Sequence, residues 1–208
     1  MTRALAPLAT ARVALAKSAG AGGELPEYVR ASEVANACQI EANARRRSLL
    51  RFLWLTGARV SEVVGQSATG GAPGLRVCDL DLGAKTAKLR TLKRRKVVVR
   101  TLPIPGEHLG ELAIVIAAGG LVATDRLFPW SRTRAFELVR DMLLAAGVER
   151  SRCHPHALRH GHAVHAVLNG VPLNVVQRAL GHASIVTTSI YTQVTGSDVR
   201  REYDRIAW

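Results

Sequence analysis

Apolar residues recur along this chain with two different periods. From Glu41 to Thr56 (EANARRRSLLRFLWLT), Leu49, Leu50, Leu53 and Trp54 fall on one side of a helix and Arg45, Arg46 and Arg47 on another. Gly57 supplies a stop, and a short helix is expected ahead of this one, over Glu27 to Asn36. After a turn-forming loop, Gln66 to Gly74, the period drops to two: Leu75 to Leu82, Ala87 to Leu92 and Val97 to Ile104 alternate as three short strands. Beyond Pro103 and Pro105 the helical period returns. It predicts helices over Glu107 to Ala118, from a cap at Ser131 to Ala146, from Pro155 to a stop at Gly170, and from Pro172 to Leu180 with Gly181 closing it. Two more are expected around Ser184 to Tyr191 and, amphipathically, over Asp198 to Ala207. Leu127-Phe128-Pro129-Trp130 reads as a buried turn. The fold class is therefore α+β, mostly α-helical, with a small three-stranded antiparallel sheet.

The chain has 208 residues, 48% of them hydrophobic, enough for one sizeable core. Residues 1 to 23 differ in kind, an Ala-rich run ending in Gly-Ala-Gly-Gly that reads as a flexible leader or the remnant of a linker. The expected organisation is a leader over 1–24 and one domain over 25–208. Arg3, Arg12 and Lys17 interrupt the leader, which lacks the continuous apolar stretch of a secretory signal. The longest apolar run, about Leu112 to Ala123, is broken by Gly119 and Gly120 and is too short to span a bilayer. Cys38, Cys78 and Cys153 are odd in number and far apart, so they read as reduced thiols of a cytoplasmic protein, packed as small core residues. Neither a membrane nor a small-molecule substrate is expected as a partner.

Charge changes the picture most. Lys plus Arg number 29 against 16 Asp plus Glu, a net charge of +13, and such a field draws polyanions. Nucleic acid is the commonest of these; ribosome association, an anionic membrane surface or a generally basic proteome are the alternatives. In Thr56-Gly57-Ala58-Arg59-Val60-Ser61-Glu62-Val63, Arg59 follows a Gly turn at the start of a new helix, where backbone N–H groups already favour an anion. An arginine so placed can equally pair with a nearby carboxylate or stay solvated. Lys93-Arg94-Arg95-Lys96 sets four cations at a hairpin tip, as a solvated turn or as mobile charge for a bound polyanion. The stretch from His154 to Tyr191 carries His156 and Arg159 three apart on one helical face, His182 after Leu180-Gly181, and Tyr191 nine residues further on.

Those are the groups that breaking a phosphodiester without a metal requires. Arginine forms two parallel charge-assisted bonds and stays protonated, so Arg59 and Arg159 can hold the non-bridging oxygens. His156 and His182 can add donors or take a proton. A phenol such as Tyr191, with an ordinary pKa of about 10, becomes nucleophilic only in a cationic pocket. Singly, Tyr191 also reads as a core or surface residue and His182 as a helix cap. The five histidines between His154 and His165 fit no standard zinc spacing, and Ala157 and Leu158 exclude an H-E-x-x-H pattern. His160, His162 and His165 are expected to pack or to face a groove.

In this order, Thr56-Gly57-x-Arg59-x-Ser61-Glu62, the basic β-turn, His156-x-x-Arg159, Leu180-Gly181-His182 and Tyr191 resemble the tyrosine recombinase (phage integrase) family of DNA strand-exchange enzymes, over about residues 27 to 208. The resemblance implies a site-specific recombinase of integrase or resolvase type. It would act on double-stranded DNA through a covalent 3′-phosphotyrosyl intermediate, with no metal, cofactor or ATP. The catalytic set it implies is Arg59, Lys93, His156, Arg159, His182 and Tyr191, with Glu62 as a structural partner that holds the arginine. Lys96 is the second choice for the lysine, because this turn departs from the commoner Gly-Lys-Gly type. A homo-tetramer on DNA is also implied, with the last helix docked on a neighbouring subunit through Val199, Tyr203, Ile206 and Trp208; folding of that helix onto its own domain is the alternative. A non-catalytic DNA-binding accessory protein and a type IB topoisomerase-like enzyme are the competing functions. Family members usually carry an N-terminal helical domain that closes a clamp on DNA, whereas only about 25 residues precede the catalytic-like region here. A short member or a fragment is expected, a half clamp that binds duplex weakly and with steep salt dependence.

Overall fold

The computed structural model of the chain describes residues 27–66, 73–93 and 96–181. Along them run α1 (Ala31–Ile40), α2 (Ala44–Thr56), α3 (Val60–Val64), β1 (Leu80–Asp81), β2 (Thr86–Lys93), β3 (Lys96–Pro103), α4 (Gly106–Ala118), α5 (Arg132–Ala145), α6 (Pro155–Leu168) and α7 (Leu173–Leu180). The strands form an antiparallel sheet in the order β1-β2-β3, so the α+β, mostly helical class is the one the patterning predicts.

The organising element is α2. Its start is set by Asn43, whose side chain accepts from the Arg46 amide, and its end by Gly57 in the left-handed region. An amphipathic face alone does not describe it. Leu49, Leu50, Phe52, Leu53 and Trp54 are all buried, because α1, α4 and α6 surround the helix. Phe52 packs tilted against both His108 and Phe128; of the turn expected to be buried before α5, Leu127 and Phe128 are buried, Trp130 is half-buried against Phe128 and Pro129 is exposed. The basic flank is partly structural: Arg45 donates to the Leu127 carbonyl and Arg47 to that of Glu41.

Two expected boundaries are corrected. The first helix begins at Ala31 rather than Glu27 and runs on to Ile40, because Glu33 caps the Arg30 amide while the Val29 amide is taken by the carbonyl of Ala157. The strand expected over Leu75 to Leu82 reduces to Leu80–Asp81. Val77–Asp79 is a 3₁₀ turn, closed by the Asp79 carboxylate on the Arg76 amide, and a side chain that takes a backbone donor removes it from a sheet ladder. The hairpin differs in the other direction. Its ladder continues to a Lys93–Lys96 pair, so those lysines end the strands rather than sitting in a four-residue tip. Cys38 and Cys153 are buried as expected, but Cys78 is exposed, since it lies on that 3₁₀ turn. Among the described residues, no helix is long and apolar enough to cross a membrane. The predicted leader over 1–24 and the two helices after Gly181 lie outside the described residues.

Candidate active site

The candidate site is built where three helix ends meet. The C-terminal turn of α2 leads through Gly57 to Arg59, which immediately precedes α3. The N-terminal turn of α6 carries His156 and Arg159, with His154 as the cap accepting from the Ala157 amide and Pro155 in the first turn. The C-terminal end of α7 brings the Leu180-Gly181 turn alongside, held by Val176 and Leu180 packing on Ala163 and Val164 of α6.

Arg159 ties these ends together. Its side chain is buried and donates from Nη1 to the Gly57 carbonyl and from Nη2 to the Leu180 carbonyl, each at 2.7 Å. The approach is close enough to demand glycine at position 57. A Cβ there would fall 2.6 Å from both His162 and Leu180, and the backbone φ of +59° disfavours any side chain.

Arg59 is more open, with a third of its side chain exposed. Its amide donates to Glu62 Oε2 at 2.8 Å, but its guanidinium reaches Glu62 Oε1 only at 3.4 Å. Glu62 is instead the partner of Arg100 on β3, which donates Nη1 to Oε1 at 2.7 Å and Nη2 to Oε2 at 2.6 Å. Thr91 on β2 donates its hydroxyl to the same carboxylate. Burial pushes the Glu62 pKa up, yet the bonds and charge of Arg100, the Thr91 hydroxyl and the Arg59 amide outweigh it and hold it down at about 2. The carboxylate expected to hold the first arginine therefore positions that arginine's backbone, while its charge is matched by Arg100. This leaves the Arg59 guanidinium the freer to meet an anion.

His156 is exposed, and its pKa is lowered by desolvation, then by the positive charges of Arg159, His154, Arg59 and Arg132. It is neutral at pH 7, able to donate from one ring nitrogen and accept at the other. Arg59, His156 and Arg159 thus share one electrostatic neighbourhood. His160 and His162 are driven to about 4, by burial first and then chiefly by His156 and Arg159 in the one case, and by burial against the Trp54 backbone bond in the other. Both are packing residues, and His165 stacks tilted on Trp54. Among the described residues no group of His, Cys, Asp or Glu is arranged to hold a metal ion. Lys93 closes β2 opposite Lys96. His182 and Tyr191 lie outside the described residues.

Sequence reasoning misses Arg100 and Arg132. Arg132 opens α5, is exposed, and adds its charge to those that lower the His156 pKa. For Arg100 a signal exists: stepping back by two from buried Leu102 along β3 puts position 100 on the core face. A charged residue there requires a buried counter-charge.

The chain belongs to the phage integrase family, whose sequence profile matches residues 27–197. It is 33% identical over 171 residues to the tyrosine recombinase XerD of Mycobacterium leprae, covering 75% of this chain and 50% of that protein. The chain spans about half the length of the curated relatives it matches. Its fold is similar to that of the XerA recombinase, with a TM-score of 0.70 and 24% identity, over 92% of this chain and 68% of that one. It is also similar to the catalytic domain of bacteriophage HP1 integrase, with a TM-score of 0.61 and 23% identity, over 88% of this chain and 95% of that domain. The fold is that of tyrosine recombinase catalytic domains.

Proposed function

We propose that residues 25–208 act as the catalytic domain of a cytoplasmic, site-specific DNA recombinase that cuts and rejoins double-stranded DNA through a 3′-phosphotyrosyl intermediate. The convergence of Arg59, His156 and Arg159 at the meeting of α2, α6 and α7, in a chain of net charge +13, is the observation that carries this reading. Arg59 and Arg159 hold the non-bridging oxygens of one phosphate, and stabilise them more as charge builds in the pentacoordinate state. The Tyr191 oxygen attacks phosphorus while its proton passes to a neutral imidazole, His156 or His182. The bond from phosphorus to the 5′ oxygen breaks, and Lys93 delivers a proton to that oxygen. The resulting ester retains the energy of the broken bond, so a new 5′-hydroxyl can reverse the step without ATP. The helix after Tyr191 joins subunits into a homo-tetramer on DNA, and residues 1–24 serve as a leader or linker.

The test is incubation of the 208-residue chain with nicked duplexes randomised around the nick, followed by denaturing gels and sequencing of the protein-linked strands. A covalent adduct with a recurrent sequence, lost in Tyr191→Phe with duplex binding retained, is expected. Sequence-independent relaxation of plasmid would instead make the chain a topoisomerase, and duplex binding without any adduct an accessory protein.

A further inference from the structure

Arg100 joins three segments that the proposed chemistry uses separately. It sits on the core face of β3 with 13% of its side chain exposed, and its fork spans both oxygens of Glu62. Nη1 also reaches Thr91 Oγ at 2.9 Å. On its remaining side it lies under the turn at the end of α7, where a Cβ on Gly181 would fall 3.1 Å from Nη1 and 3.5 Å from Cζ. The φ of +68° favours glycine at position 181, and a Cβ there would press Arg100 out by a few tenths of an ångström. A continuous path therefore runs from the Arg59 amide through Glu62 to Arg100. From there it branches to Thr91, two residues before Lys93, and to Gly181, one residue before His182.

This pair is not explained by stability alone. Burying an ion pair costs about as much desolvation as its attraction returns, and the best-attested use of such pairs is to set register. Nor does it help to hold phosphate by charge, because Glu62 neutralises Arg100.

We propose that Arg100 is a positioning residue. The Arg59 amide keeps its own bond to Glu62 and the Leu180 carbonyl its bond from Arg159, while Arg100 sets the β2–β3 hairpin ending at Lys93 in register with them, so that the lysine meets the leaving oxygen. Lysine cannot replace it, since an ammonium cannot bridge both carboxylate oxygens and a hydroxyl in one plane. The inference rests on the phosphotyrosyl reading above. Misplacing a catalytic group by about 1 Å costs on the order of 10²-fold in rate.

The experiment compares adduct formation in single turnover on two nicked duplexes of the sequence recovered from wild-type adducts. One has the ordinary 5′ oxygen at the scissile phosphate and the other a 5′ bridging sulfur. In the second the bond from phosphorus to sulfur breaks and a thiolate leaves without needing a proton, so a misplaced general acid no longer matters. Arg100→Lys keeps a cation beside Glu62. It is expected to slow the oxygen substrate on the order of 10²-fold and to react with the sulfur substrate within about threefold of wild type. Equal losses on both DNAs, or no loss on either, overturn the inference. Should Arg100→Lys fail to fold, Thr91→Val decides by the same comparison, with a loss of about tenfold expected on oxygen alone. A wild-type chain that yields no adduct from the randomised duplexes overturns the phosphotyrosyl reading itself.

Discussion

Arg159 and Gly57 stand 102 residues apart along the chain, and the guanidinium of one donates to the carbonyl of the other at 2.7 Å. The bond makes Arg159 a structural strut as well as a candidate phosphate ligand, whereas Arg59 is a third exposed and supports little. The two arginines should therefore fail differently. Arg159→Ala leaves the Gly57 and Leu180 carbonyls without this donor. At roughly 1–3 kcal/mol for each buried group, the melting temperature should fall by about 4–24 °C. Arg59→Ala should abolish adduct formation with a melting temperature within about 2 °C of wild type. Calorimetry of both variants checks the contrast; equal losses of stability would contradict it.

Gly57→Ala tests the close approach behind Arg59. The left-handed backbone alone costs about 1–2 kcal/mol with a side chain, and a Cβ 2.6 Å from His162 and Leu180 adds a packing penalty of about 1–3 kcal/mol. Urea titration should show a lower midpoint at unchanged slope. Because the turn aims Arg59, adduct formation should fall by more than the unfolded fraction accounts for.

Acid should loosen the fold in two stages. His160 and His162 sit at about 4 against an ordinary 6.5, so the unfolded chain binds more protons between those values. Stability is lost as pH falls from 6.5 toward 4, by up to about 1.4 kcal/mol per pH unit for His162 and by less for the half-buried His160, whose charge water screens. Glu62, held at about 2 against 4.5, then withdraws its contribution as pH falls from 4.5 toward 2. Urea midpoints measured between pH 7 and pH 3 give the profile. His162→Gln should flatten the upper stage and Glu62→Gln the lower one.

His156 also carries a depressed pKa, so it stays neutral to below pH 6.5. The acidic limb of the adduct-forming rate should accordingly lie below that value. Assaying the rate from pH 5 to 8, with His156→Gln as the control that loses the limb, decides this; a limb above pH 6.5 would assign it to another group.

Removing residues 194–208 separates the two fates of the tail. Lost assembly on DNA with an unchanged melting temperature is expected for a helix that docks on a neighbouring subunit. A lowered melting temperature in the isolated chain would mean that the helix packs on its own domain.

Much of this protein is readable along the chain. Periodicity, bounded by Gly and Pro stops and a Ser cap, places the helices of α2 and α4 to α7 and the two long strands within a few residues, because a helix or strand packed on a core must repeat its apolar positions at its own pitch. The box around Arg59 and the His156–Arg159 pair are legible for a related reason: each is a short contiguous stretch, the first running from the end of α2 through Gly57 into α3 and the second lying within one turn of α6. What tertiary structure alone decides are relations between segments. Only folding sets Arg159 on the Gly57 and Leu180 carbonyls and gives Glu62 to Arg100 rather than to its neighbour three residues away. A carboxylate withdrawn from water takes whichever donor the packing brings at the best angle, and sequence distance carries no information about that choice.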